Sequence, residues 1–213
     1  MILNILNKLN IGSMMKVLKK LFLIILFLIP NTLKAENYVF GGVKIFDYGI
    51  ESSDLQTLNT SLVNLGFTSS FSETDNIGVG FDLGVGIGIA NNLSLEAGYV
   101  DYGTLEINTR TTGPVERIKT EITGNGFTLA GKLSNLGDSG IFVKGGMHAW
   151  DLSGKISTSL GSSSEALGDG TDPFFSIGYM SPGSNTGWNF AYDHYVIDDG
   201  DIGSLTFGYS EVF

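Results

Sequence analysis

The sequence predicts an all-β fold, an eight-stranded antiparallel up-and-down transmembrane β-barrel preceded by a cleaved signal peptide. Three observations predict it. Residues 77–90 alternate without interruption between large apolar and small side chains, shorter segments alternate in the same way along the chain, and their connections are in turn long and short. The composition, with 30 glycines and 16% charged residues in 213, agrees with β-structure.

The stretch 77–90 (IGVGFDLGVGIGIA) is the strongest of these segments. Val79, Leu83 and Ile87 share one face with four other large apolar residues, whereas glycines, Asp82 and Ala90 form the other face. Fourteen residues at about 3.3 Å each cross a tilted path through a hydrocarbon layer about 30 Å thick. A soluble lipocalin-like cup, with the apolar face inside, remains the alternative.

Seven further strands follow from the same alternation, giving predicted strands at 37–48, 77–90, 93–102, 124–134, 140–151, 172–180, 186–196 and 202–213. The stretches 49–75, 103–123 and 152–171 are predicted to be long loops, and residues 197–201 a modest one. Within 49–75, one or two turns of amphipathic helix are the alternative, from the spacing of Leu55, Leu58, Leu62 and Leu65. Short turns are expected at 91–92, 135–139 and 182–185. An even number of strands with short turns on one rim is typical of outer-membrane barrels. Interfacial aromatic girdles are expected from Tyr38, Tyr99, Trp188, Tyr192 and Tyr209.

The N-terminus predicts a secretory signal peptide over residues 1–35. A basic start at 14–20 is followed by nine apolar residues (21–29) and by Ala35, the expected cleavage residue. A transmembrane helix is the rival, but it would need about 20 apolar residues. The true start is expected at Met14 or Met15 if residues 1–13 are not translated, and the barrel domain spans 36–213.

Charge and composition exclude several classes of function. Residues 36–213 hold seven basic and twenty-two acidic residues, so the mature chain would repel nucleic acid. The chain has no cysteine and two histidines, which argues against a metal site or a cofactor. His148 is predicted to point inward and His194 outward, so they cannot share a catalytic site, and no enzymatic activity is expected. A lipid-modifying enzyme of the outer membrane is therefore the least favoured class of function.

Charged residues of inward parity are balanced in sign, and they are the candidate site. The alternation places six of them in the lumen: Lys44, Asp82, Glu96, Lys132, Lys144 and Asp193. An unpaired charge in a narrow interior is costly, so we expect ion pairs that plug the lumen of a structural or surface-interaction protein. A narrow gated channel for ions or small solutes is the alternative.

Four segments resemble the OmpA-like transmembrane domain: LEAGY (95–99), GFTLAGKL (126–133), KGGMHAWD (144–151) and LTFGYSEVF (205–213). The resemblance implies an integral outer-membrane barrel with periplasmic termini and long extracellular loops. It also implies that the barrel-assembly machinery recognises Phe213 together with Phe207 and Tyr209, although Glu211 stands where the family usually has an aromatic residue.

The resemblance bears on the lumen and on the partners as well. Lys44, Glu96, Lys132 and Asp193 match interior charged positions of the family, whereas the family's arginine has no clear counterpart here. Outer-membrane lipid and lipopolysaccharide are the expected surroundings. Loops rich in acidic residues (Glu51, Asp54, Glu73 and Asp75) are the expected contact with an external ligand or a host surface.

Overall fold

The computed structural model describes residues 36–64, 70–90, 92–112, 117–136, 139–181, 186–198 and 200–213. The predicted signal peptide, including Ala35, lies outside these residues. So do Asn91, residues 137–138 and residues 182–185 of the predicted short turns.

Nine strands and one helix make up the described part of the chain. They are β1 (Asn37–Asp47), α1 (Ser52–Asn64), β2 (Ser70–Asp75), β3 (Ile77–Ala90), β4 (Leu93–Thr111), β5 (Arg117–Leu136), β6 (Ile141–Thr158), β7 (Gly161–Met180), β8 (Gly187–Ile197) and β9 (Gly200–Val212). Within the same residues, no helix has the length and apolar content needed to cross a bilayer.

Eight of these strands close into a ring. Each of β3 to β8 pairs antiparallel with the next strand along the chain, and β1 pairs with both β3 and β9. The prediction of an eight-stranded antiparallel barrel is therefore confirmed. The start of β1, the end of β9 and the β3–β4, β5–β6 and β7–β8 connections lie on one rim, here called the terminal rim. The opposite rim, here called the hairpin rim, carries the connection from β1 to β3, the extended β4–β5 and β6–β7 hairpins, and the β8–β9 connection.

The strands are tilted, because the register advances around the ring. Directly opposed residues lead from Tyr38 on β1 once around the barrel to Ile202 on β9. Since Asp47 opposes Gly203, Ile202 is level with position 48, ten residues beyond Tyr38. Such a stagger requires the strands to tilt against the barrel axis.

The glycine face of β3 makes room for aromatic rings on β1. A Cβ at Gly86 would lie 2.1 Å from the ring of Tyr38, and one at Gly84 would lie 2.5 Å from the ring of Phe40. Glycine therefore lets large rings lie inside a barrel of eight strands, which is just wide enough to be filled by side chains.

Two of the predicted long loops were wrong. Residues 103–123 continue β4 to Thr111 and begin β5 at Arg117, while residues 152–171 continue β6 to Thr158 and begin β7 at Gly161. These extensions pair with each other in register beyond the barrel wall. The neighbouring strands supply the backbone partners, so a Ser/Gly-rich sequence forms strands without burying a core.

The third predicted loop, 49–75, was also wrong, since it contains α1 and β2. The helix begins with reciprocal bonds in which the Asp54 carboxylate accepts from the Glu51 N–H (2.9 Å) and the Asp54 N–H donates to the Glu51 carbonyl (3.0 Å). Asn59 of α1 accepts a bond of 2.8 Å from the Ser72 hydroxyl of β2, and β2 pairs with the outer part of β4. A helix with no buried residue is compatible with its position in a connection.

The outer face of the barrel is apolar, as the alternation predicted for β3. Val79 is 66% exposed and Leu83 52%. Other exposed apolar residues include Val43, Leu129, Phe175, Phe190, Trp188 and Leu205. Tyr38 was wrongly assigned to the interfacial girdle: it is fully buried, because it shares the inward parity of Lys44.

Candidate functional site: the barrel lumen

Lys44 is the centre of the first group of charges in the lumen. Its ammonium Nζ lies 2.6 Å from Asp193 Oδ2 and 3.3 Å from Asp82 Oδ2, and it donates to Thr206 Oγ1 at 2.6 Å. Thr206 also donates to Asp193. These residues come from β1, β3, β8 and β9, which meet at the closure of the ring. Two carboxylates thus share one buried cation.

Glu96 is the centre of the second group. Its Oε1 lies 3.2 Å from Lys132 Nζ and accepts a bond of 2.6 Å from the Tyr38 hydroxyl, while its Oε2 lies 3.3 Å from Lys144 Nζ. The Lys132 ammonium also lies 5.0 Å from the centre of the Tyr38 ring and 4.8 Å from that of Phe142. Here two cations share one carboxylate, and aromatic faces add to their stabilisation.

The structure thus brings all six predicted charged residues into two complementary groups, Lys44–Asp82–Asp193 and Glu96–Lys132–Lys144. The first group has a surplus negative charge and the second a surplus positive one, so the sum is neutral. We call these two groups the charged half of the lumen. This half lies toward the terminal rim, since Glu96 and Lys132 are near the ends of their strands there. Each charge has an opposite partner, which is the condition for tolerating it in a narrow interior.

Aromatic rings fill the other half of the lumen. Phe46, Tyr102, His148, Phe174 and Tyr195 form this aromatic half, and each is at most 3% exposed. The Tyr195 ring lies 5.3 Å from that of His148, 5.4 Å from that of Phe174 and 5.5 Å from that of Tyr102. These contacts join β4, β6, β7 and β8 across the interior. The alternation places all five of these residues inward, although His148 was the one of them predicted to point into the lumen.

His148 is held by two hydrogen bonds. Its Nε2 lies 2.7 Å from the Val196 carbonyl, an acceptor, so Nε2 carries the proton. Nδ1 then accepts from the Tyr102 hydroxyl at 2.5 Å. Within the described residues, no hydrogen bond joins His148 to a serine or to a carboxylate. An imidazole bonded at both ring nitrogens in this way is held in one orientation and packs the lumen.

His194 lies on the opposite face, as its parity predicted. It stacks on Phe175 with ring centres 4.7 Å apart, and its Nε2 lies 3.2 Å from Asp201 Oδ1. Nowhere in the described ranges do three His, Asp or Glu side chains come together as metal ligands.

The C-terminal strand carries the residues predicted to act in assembly. Phe207 and Tyr209 face outward, and the Trp188 ring stacks on Phe207 at 4.9 Å. Phe213 is 76% exposed, and its N–H donates to the Asn37 carbonyl at 3.0 Å. Glu211 accepts a bond of 2.8 Å from the Tyr209 hydroxyl, so the departure from the family pattern has a local partner.

Comparison with solved structures finds the same kind of fold at low sequence identity. The crystal structure of Ail, the attachment invasion locus protein of Yersinia pestis, is 14% identical and has a TM-score of 0.50, with 84% of this chain and 100% of Ail covered. A second Ail structure, in complex with the heparin analogue sucrose octasulfate, is 15% identical with a TM-score of 0.49 and the same coverage. OprG from Pseudomonas aeruginosa is 13% identical with a TM-score of 0.42, covering 84% of this chain and 97% of OprG.

Comparison with curated protein sequences gives no significant match. Comparison with protein families matches the OmpA-like transmembrane domain over residues 36–180, which is more than half of the chain. This match confirms the resemblance and includes three of the four sequence segments, at 95–99, 126–133 and 144–151; the fourth, at 205–213, lies beyond the matched residues. The chain therefore belongs to the OmpA-like transmembrane domain family and is an integral β-barrel protein of the outer membrane.

Proposed function

We propose that this barrel is a non-enzymatic protein with a structural and surface-interaction role, and that charged side chains plug its lumen. The observation that carries the proposal is the balance of the charged half, where three lysines and three carboxylates pair with one another. Charges that satisfy one another in this way have no net preference for a passing cation or anion. The aromatic half lies in series with them, so an ion would have to cross both.

Planar-bilayer recording of the refolded protein tests this role. Heat-modifiable migration on a gel first establishes that the barrel is folded. We expect no discrete conductance steps from the folded fraction. Regular steps would instead support the alternative, a narrow gated channel, for which the polar side chains of the charged half would be the lining.

The absence of enzymatic activity is a separate part of the proposal. It is supported by His148, whose two ring nitrogens are bonded to Tyr102 and to the Val196 carbonyl. Incubation of the folded protein with radiolabelled phospholipid and lipopolysaccharide should leave both substrates unchanged. A released or transferred acyl chain that depends on folded protein would overturn this part.

We also propose that the termini face the periplasm and that the hairpin rim faces the outside of the cell. The support is the length of the paired strand extensions at the hairpin rim, where the β4–β5 and β6–β7 hairpins continue beyond the barrel wall. The chain has no cysteine, so single cysteines can report the side. Ser163→Cys at the hairpin rim should react with an impermeant maleimide on intact cells, whereas Ser139→Cys should react only after permeabilisation. The reverse pattern would invert the orientation.

Residues 1–35 are proposed to be removed during export, which leaves Glu36 as the first residue. The mass of the intact protein isolated from outer membranes distinguishes this from retention of Met1, Met14 or Met15.

For assembly, we propose that the barrel-assembly machinery binds Phe213. Phe213→Ala should lower the folded fraction in cells without changing refolding in detergent, and Glu211→Phe is the matched variant expected to raise it or leave it unchanged.

The proposed partners are outer-membrane lipid and lipopolysaccharide around the barrel, and an external ligand or host surface at the acidic connection between β1 and β3. That connection carries Glu51, Asp54, Glu73 and Asp75. A ligand of basic character would suit them. Binding of cells to a host surface should fall when these four residues are replaced together by Gln and Asn, and should stay unchanged when Lys119 and Lys155 are replaced by Gln.

A further inference from the structure

A cavity of about 30 Å³ lies in the charged half of the lumen. Both groups of charges contribute to its lining, through Asp82, Asp193, Glu96 and Lys144, together with Ser176 and Asn189. A buried water needs about 10–15 Å³ measured in this way. The cavity therefore has room for about two waters and is too small for most organic solutes.

Ser176 on β7 points to a ligand in this cavity. The residue is 3% exposed, and its Oγ is buried with no hydrogen-bond partner among the described residues. It is the one such side-chain atom in that part of the chain. Buried hydroxyls in native proteins are almost always hydrogen-bonded, to protein or to ordered water.

The charged side chains at the cavity have incomplete partners of opposite kinds. The Lys144 ammonium has three N–H donors, and within the described residues it lies near one carboxylate, Glu96, at 3.3 Å. The Asp82 carboxylate has several acceptor sites and lies near one ammonium, Lys44, at 3.3 Å. The wall thus offers both donors and acceptors.

This mixture of partners selects the class of ligand. A cation that Asp82 attracts would meet the ammonium of Lys144, and an anion that Lys144 attracts would meet Asp82. A small neutral molecule that both donates and accepts hydrogen bonds is attracted by both residues. Water is the molecule of this class that fits the volume.

We propose that the cavity is a built water site, in which about two waters bridge Ser176 Oγ to Lys144 and Asp82 and so link the two charged groups. The site goes beyond the proposed function, because it is independent of whether the lumen conducts. It makes the charged half one hydrogen-bonded network that runs from Lys44 to Lys132.

Crystals of the refolded protein soaked in rubidium bromide provide the first test, because both ions have anomalous scattering. We expect solvent density within hydrogen-bond distance of Ser176 Oγ and of Lys144 Nζ, with no anomalous peak in the cavity. An anomalous peak would show that the site binds an ion. A cavity with no density would show that it binds nothing.

A solution measurement tests the same proposal without crystals. In detergent micelles, a long-lived water should give a nuclear Overhauser cross-peak to the Ser176 amide. Ser176→Val should remove the water's partner, occupy its space and abolish the cross-peak. Ser204→Ala is the matched control, because the Ser204 hydroxyl donates to Asp193 at 3.4 Å and has no role in the proposed water site. In this variant the cross-peak between the water and the Ser176 amide should persist. Ser176→Ala replaces Ser176→Val if the larger side chain prevents folding. Absence of the cross-peak in the unmodified protein, or its persistence in Ser176→Val, would overturn the proposal.

Discussion

The two halves of the lumen fill the same narrow space by different physical means. In the charged half, Lys44 and Glu96 each hold two opposite charges within 3.3 Å, so stability depends on the identity of each partner. In the aromatic half, Tyr195 and its neighbours are in contact through ring faces and edges, so stability depends mainly on volume and shape. A substitution that keeps the side-chain volume and removes the charged or polar group should therefore cost more stability in the charged half than in the aromatic half.

The largest expected effect comes from Lys44→Met, which keeps most of the side-chain volume and removes the charge. Asp82 and Asp193 would then lie buried without their shared cation. The free energy of unfolding in urea, measured in lipid vesicles, should fall by about 3–5 kcal/mol, as when one partner of a buried pair is removed. Lys155→Met is the matched control on a hairpin, where the lysine side chain is 52% exposed, and should have little effect. Equal effects of the two substitutions would remove the distinction between buried and exposed charges.

Leu83→Arg places a charge on the outer face, one residue from Asp82. Asp82 is tolerated because Lys44 pairs with it inside, whereas an arginine at position 83 would face lipid without a partner. The expected loss is about 2–4 kcal/mol near the bilayer midplane, by the same unfolding measurement. A neutral result would mean that the apolar face lies inside, as in a soluble cup.

Tyr102→Phe removes one hydroxyl from the aromatic half and leaves the ring in place. His148 Nδ1 would lose its bonded donor while remaining buried, which is expected to cost about 1–3 kcal/mol. Phe174→Tyr is the companion variant, because it adds a hydroxyl among packed rings, at a position where none is bonded. It should also lower the free energy of unfolding. If Tyr102→Phe were as harmful as Lys44→Met, hydrogen bonding and not packing would dominate this half too.

The smallest effect is expected in the ion pairs of the hairpins. Lys119 Nζ lies 2.8 Å from Glu106 and 2.9 Å from Glu121, and the bond from Lys119 lowers the pKa of the Glu121 carboxyl. Any stability from Glu121 is present above its unfolded pKa and is lost as the pH falls through the lowered folded value. Because both side chains stay partly exposed to solvent, 40% for Lys119 and 24% for Glu121, Lys119→Ala should change the urea midpoint little at neutral pH, and salt should not alter that result. A clear shift in the midpoint would show that partly exposed pairs act like buried ones here.

Much of the barrel could be predicted from the sequence, because a period of two fixes which face each residue occupies. The alternation of β3 gave both its bounds and its outer face, and the same parity selected Lys44 and Glu96 as inward charges. The same parity places Tyr38 inside the barrel. Its assignment to the girdle was wrong because that assignment was based on nearness to a strand end and not on parity. The aromatic half was accessible by the same rule, since Phe46 and Tyr195 share the parity of Lys44 and Asp193.

Other features depend on long-range partners, which local patterns do not reveal. The extensions of β6 and β7 are rich in Ser and Gly and form strands because each supplies hydrogen bonds to the other. The pairing of Lys144 with Glu96 joins β6 to β4, two strands apart, so register alone does not give it. The tilt of the strands decides which inward residues meet, and it becomes visible only when the ring closes.

A double-mutant cycle on Glu96 and Lys132 tests most directly whether mutual pairing stabilises the charged half. Glu96→Gln, Lys132→Met and the double variant are unfolded in urea in lipid vesicles, and the cycle isolates the interaction between the two residues. The distance of 3.2 Å between Lys132 Nζ and Glu96 Oε1 predicts a favourable coupling of about 1–3 kcal/mol. The exchanged pair, Glu96→Lys with Lys132→Glu, should recover part of the lost stability. A coupling near zero, with no recovery in the exchanged pair, would contradict the account, because the two charges would then be solvated separately.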